Sequence, residues 1–104
     1  MDSLEDIFYE VIVDEEKVIG ESLVELTSIS NDIIKLMIDD VLIKIDTFEK
    51  RVIGSSPKAQ EFNDWSIANS DASWRKLFSH LFKVYLSRKQ EDSWNAEEEK
   101  EEPP

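Results

Sequence analysis

The amino-acid sequence predicts an all-α protein, a helical hairpin or small helical bundle with coiled-coil-like long helices and an acidic, disordered C-terminal tail. Three observations predict it. Ile34, Met37, Val41, Ile45, Phe48 and Val52 are spaced 3, 4, 4, 3 and 4 residues apart, the period of one helix face. Trp74, Leu77, Phe78, Leu81, Phe82, Val84 and Tyr85 form a second, wider apolar face at helical spacing. Gly54 and Pro57 punctuate the chain between the two stripes, in the places where a helix is left and cannot be resumed.

From the N-terminus, Ser3 followed by Asp6 has the pattern of an N-cap with an acidic residue three positions on. Leu4, Phe8, Val11, Val18, Ile19, Leu23 and Leu26 then share one broad helical face, and Asp6, Glu10, Asp14, Lys17 and Glu21 lie opposite, with Glu15 and Gly20 weakening the stripe. Thr27-Ser28-Ile29-Ser30-Asn31-Asp32 is rich in cap formers, so residues 1–53 form one helix or two, with a possible break at 27–31. An unbroken rod of about 50 residues would be about 75 Å long. In the stripe at 33–53, position 34 recurs at 45, 37 at 48 and 41 at 52, an eleven-residue repeat suited to a nearly straight helix pair.

Strands are the rival for this half. Residues 1–53 contain 10 Ile, 6 Val and 2 Thr, a β-branched load that favours sheet, and 8–13 and 41–45 could be extended. Met37, Leu42 and Ile12 break the period of two, however, and Asp39-Asp40 lacks the glycine usual in a tight hairpin turn, so helix is preferred. Residues 54–94 read as an aromatic-rich helical segment packing on the first. A short helix over 58–69 carries Phe62, Trp65 and Ile67, and a final one, capped at Asn69-Ser70-Asp71, runs from about 72 to about 89. Residues 95–104 are the expected acidic tail.

Composition bounds function more than it assigns it. A chain of 104 residues is one domain at most, and 40% hydrophobic residues with 10% aromatics is enough to fold despite a net charge of −12. With no cysteine, disulfides and thiolate metal sites are excluded. The acidic N-terminus is unlike a leader and no apolar run approaches a membrane span, so an intracellular protein, cytoplasmic or nuclear, is expected. Charge is unevenly spread. Residues 1–49 carry 14 acidic and 3 basic side chains, 50–90 carry 3 and 8, and 91–104 carry 7 and 1. Such blocks steer association.

No residue pattern points to catalysis, and no catalytic, metal or cofactor residues are expected. His80, the one histidine, sits on the polar side of the last helix and reads as a surface residue. On a helix, neighbours such as Asp39-Asp40 and Glu15-Glu16 diverge, whereas an acid and base pair must converge. Gly20 and Gly54 are the only glycines, too few for a phosphate loop. Asp32, Asp39 and Asp46 read as a solvated helix face rather than metal ligands.

The expected function is a non-catalytic protein–protein interaction subunit of scaffold or adaptor type, joining protein partners, themselves helical, in a homo- or hetero-oligomer. Its expected interface is Ile34, Met37, Val41, Ile45, Phe48, Val52, Trp74, Phe78, Leu81, Phe82 and Tyr85. The alternative is an acidic inhibitor or nucleic-acid mimic that fills the basic cleft of a nuclease or DNA-binding protein. Membrane-surface binding by residues 74–89 is a third reading. Direct nucleic-acid binding through Arg75, Lys76, Lys83, Arg88 and Lys89 is disfavoured, because the rest of the chain repels phosphate within a Debye length of about 10 Å.

Overall fold

The computed structural model describes residues 3–86. Helix α1 spans Leu4–Asp14 and is capped as expected, with the Ser3 Oγ accepting from the Asp6 N–H at 3.2 Å. A single turn, α2 (Glu16–Ile19), follows and ends at Gly20, whose φ of 56° a side chain would resist. The chain then makes four antiparallel strands, β1 (Val24–Ile29), β2 (Ile33–Ile38), β3 (Val41–Asp46) and β4 (Arg51–Val52), in the order β1-β2-β3-β4. Helix α3 (Pro57–Ala68) and a last helix, α4, over 74–86 complete the fold.

This is an α+β fold and not the all-α one expected, and helical hairpin, helical bundle and coiled coil are all overturned by the sheet. The stripe at 33–53 is a β-hairpin and an edge strand. Register explains the error. Ile38 pairs with Val41, Leu36 with Ile43 and Ile34 with Ile45, offsets of 3, 7 and 11 residues. Those offsets are also the ones that share a helix face, so a hairpin closed by two residues imitates helical periodicity. Met37 and Leu42, taken as breaking the alternation, are cross-strand partners on the opposite face. Asp39 and Asp40 make the turn without glycine, both at positive φ (46° and 69°), as a type I′ turn demands. Strain there is offset by the residue preceding β1, because the Asp39 N–H donates to the Leu23 carbonyl at 2.9 Å and its Oδ1 accepts from the Leu23 N–H at 3.0 Å.

The cap-forming cluster at 27–31 likewise serves a turn. Ser30 Oγ accepts from the Ile33 N–H and donates to the Ile33 carbonyl, closing the β1–β2 loop, and a bulge shifts register between Leu26 and Ser28. The Asp46 Oδ1 accepts from the N–H groups of Phe48 and Glu49 and holds the β3–β4 turn.

The described helices serve one face of the sheet. Ile34, Leu36, Ile38, Ile43, Ile45 and Val52 are buried there against Phe8 and Val11 of α1, Ala59 and Phe62 of α3, and Leu77, Phe78, Leu81, Phe82, Val84 and Leu86 of α4. At the centre Phe8 meets Phe78 and Phe82 edge to face, with centroids 5.3 and 5.6 Å apart. The short β4 is sealed by α3. Asn63 Oδ1 accepts from the Val52 N–H at 2.7 Å, its Nδ2 donates to the Val52 carbonyl at 2.9 Å, and Ser66 Oγ donates to the Lys50 carbonyl at 2.6 Å. Helix α4 starts from Ser73, whose Oγ accepts from the Lys76 N–H, rather than from Asn69-Ser70-Asp71. The expected end of this helix near 89 and the expected tail at 95–104 lie outside the described residues.

Two stability effects follow. Asn63→Ala leaves both backbone groups of Val52 without their part-buried partner and lowers stability by about 2 kcal/mol. Asp40→Gly relieves a positive φ and raises it by about 0.5 kcal/mol. Urea midpoints of the two variants, read against the parent chain, check both signs.

Candidate functional site

Because strand side chains alternate, burying Ile34, Leu36 and Ile38 sends Ile33, Lys35 and Met37 to the other face of β2. Register extends this face across the sheet in three rows. Glu25, Met37 and Leu42 form the first, Ser28, Lys35 and Lys44 the second, and Ile33, Asp46 and Arg51 the third. The Ile53 N–H donates to the Lys44 carbonyl at 2.8 Å, which continues the β3–β4 ladder and places Ile53 at the Lys44 end of the second row. None of the described helices packs on this face, and Leu42 and Ile53 remain about half exposed, at 49% and 51%.

Lys35 and Lys44 stand directly opposite one another at its centre. Like charges so placed repel. Neither is in an ion pair among the described residues, where arginines take the salt bridges: Arg51 with Glu49 at 3.7 Å, and Arg75 with Glu10 at 3.3 Å and Asp14 at 3.6 Å. Asp46, two residues from Lys44 on this face, is committed to its own turn. Glu25 is diagonal to Lys35, on the order of 7 Å away between backbones. The result is two ammonium groups with no ion pair among the described residues, bordered by Met37 and Leu42 on one side, Ile33 on the other, and Ile53 at the end of their row.

The expected interface residues do not gather on one surface. Ile34, Ile45, Val52, Phe78, Leu81 and Phe82 are in the chain's own core. Trp74 and Tyr85 are half-buried beside that core, each with a lysine over its ring, Lys50 at 5.7 Å and Lys58 at 6.0 Å. Val41 is half exposed at the hairpin end, and Phe48, 79% exposed, tips the β3–β4 turn beside a groove of about 420 Å³ that Ile67 also lines. Of the expected set, Met37 alone lies on the open face. Reading the segment as helix hid Lys35, Leu42, Lys44 and Ile53. The signal that marks them is the alternation Ile33-Ile34-Lys35-Leu36-Met37-Ile38, once Met37 is allowed to face outward.

Other chemistry is sparse in the described residues. No three His, Cys, Asp or Glu side chains converge as metal ligands there. Asp39 lies at one end of the β2–β3 hairpin and Asp32 and Asp46 at the other, so the helical face on which they would have aligned does not exist. No helix there is long and apolar enough to cross a membrane. His80 is more enclosed than a polar-face residue should be, stacking on Trp65 with centroids 4.2 Å and planes 12° apart. Burial holds its pKa below the usual 6.5, with Lys83 acting the same way and Glu61 opposing. A cleft of about 330 Å³ between α1 and α4 is lined by Glu15, Arg75 and Ser79, but the Ser79 hydroxyl already donates to Glu15 at 2.6 Å. No protein-family model, curated protein or solved structure matches the chain.

The His80 shift gives a pH dependence of definite sign. Its folded-state pKa lies below the unfolded value of 6.5, so in the interval beneath 6.5 the unfolded chain binds the extra proton. The stabilising contribution of the neutral imidazole is complete above pH 6.5 and declines as pH falls. Thermal unfolding of the parent and of His80→Gln between pH 5.5 and 7.5 should show the parent losing more stability on acidification.

Proposed function

We propose that this chain is a non-catalytic protein-interaction module, of scaffold or adaptor type, that receives its partner on the open face of the sheet. The observation that carries this reading is the exposed pair Leu42 and Ile53, with the part-buried Ile33 and Met37, around Lys35 and Lys44 on the face that the described helices leave open. Sheets with one face covered by helices present the other to water or to a further layer, and water is a poor neighbour for Leu42 and Ile53. A helical partner is the simplest third layer, and assembly, with itself or with another chain, follows from filling it. A cysteine-free chain suits an intracellular setting, cytoplasmic or nuclear.

A second reading, the acidic inhibitor, keeps one supporting observation. The Asp39–Asp40 turn is hydrogen-bonded to Leu23, which gathers Glu21, Asp39 and Asp40 at one end of the sheet. A basic cleft would fit that end.

Tagged purification from the native host, followed by mass spectrometry and light scattering, separates the readings. An interaction module returns a stoichiometric assembly that is lost when Met37→Lys and Leu42→Lys are combined. A monomer that co-elutes with nothing would sink it. Recovery of one basic nuclease or DNA-binding protein, indifferent to those two substitutions and released by high salt, would move the site to Asp39–Asp40.

A further inference from the structure

We infer that the partner's docking element is an acidic amphipathic segment, with carboxylates that neutralise Lys35 and Lys44 and apolar side chains that cover Met37, Leu42, Ile33 and Ile53. This rests on the interaction-module reading and names the partner's chemistry. At the centre of the open face Lys35 and Lys44 stand side by side with no ion pair among the described residues, while Arg51 is paired with Glu49 and the carboxylates Glu25 and Asp46 lie in the flanking rows, so positive charge is concentrated on the lysine pair in a chain of net charge −12. Local charge is therefore opposite to the surroundings, and what it selects is acidic. Two lysines across an antiparallel pair hold their backbones about 5 Å apart. A carboxylate pair one helical turn apart, about 6 Å between Cβ atoms, can meet both ammonium groups at once.

Two other occupants fit less well. A second copy laid face to face about an axis through the centre would bring both lysine pairs together and double the repulsion. A polyphosphate chain would satisfy the lysines but leave Leu42 and Ile53 uncovered, and the acidic bulk of the molecule would repel its flanks. A short segment that alternates carboxylates with apolar groups meets both requirements, and only its acids need approach the lysines.

The test is an amide-resolved NMR titration of the full chain with a blocked helical peptide of Glu, Leu and Ala, its Glu pairs one turn apart, and a Gln-for-Glu control peptide. Binding shifts the amides of Lys35, Met37, Leu42, Lys44 and Ile53, and is weakened about tenfold or more by Lys35→Glu with Lys44→Glu, because two attractions become repulsions. Lys35→Gln with Lys44→Gln gives a smaller loss and guards against misfolding, which spectral dispersion reports. Equal affinity for the Gln peptide, unchanged affinity in the Glu double variant, or shifts confined to the Phe48–Ile67 groove would each overturn the inference. Tighter peptide binding after replacing Glu97, Glu98, Glu99, Glu101 and Glu102 with Gln would also overturn it, by giving the face to the chain's own acidic residues. Recovery of a native partner that docks on the open face through an uncharged or basic segment would sink this inference while leaving the interaction-module reading standing.

Discussion

The inner face of β2 is the constraint to which the rest of the molecule answers. Ile34, Leu36 and Ile38 are buried, and each meets an apolar partner on β3 and on β1. A slip of one residue would drive Lys35 inward and turn the three aliphatic side chains to water. At about 2 kcal/mol for each fully buried aliphatic side chain, that slip is prohibitive. Helices α1, α3 and α4 come to this one surface, and Phe8 reaches Phe78 and Phe82 across it. Because the described helices pack on the same side, among the described residues the second face is left to Met37, Leu42 and the lysine pair.

How much of this could be seen beforehand differs between the two halves of the chain. The Ser3 cap, a short helix over 58–69 and the aromatic last helix are legible, since each depends on local chemistry, a hydroxyl at a cap or apolar residues on one side, whereas Pro57, read as a barrier to the preceding helix, instead opens α3. The middle is not. Its β-branched content pointed to strands, but pairing Ile34 with Ile45 across eleven residues is a tertiary fact that periodicity alone cannot separate from a helix face. Glycine's absence from Asp39-Asp40 does not argue against a tight turn here, because the hydrogen bonds that hold Asp39 at positive φ come from Leu23, sixteen residues away. Without the hairpin register the open face cannot be assembled from the sequence, although Met37 stands out there for its apolarity.

Electrostatics and packing divide the surface differently. Arg75 bridges Glu10 and Asp14 and joins α1 to α4, so positive charge there is spent within the fold. These pairs are exposed, so their worth is small. Lys35 and Lys44 have no such partner among the described residues and sit where repulsion is greatest. Keeping them costs stability that two threonines would not, and that cost is intelligible where a surface is shaped for something outside the chain.

Asn63 has a consequence for how the molecule opens. Both of its amide atoms bind the Val52 backbone, supplying what a fifth strand would otherwise supply. Strand β4 therefore cannot fray by itself, and its release requires α3 to lift away. In hydrogen-exchange terms, the Val52 amide, near the margin of a sheet, reports the opening of a helix, and β4 with α3 behaves as one cooperative unit.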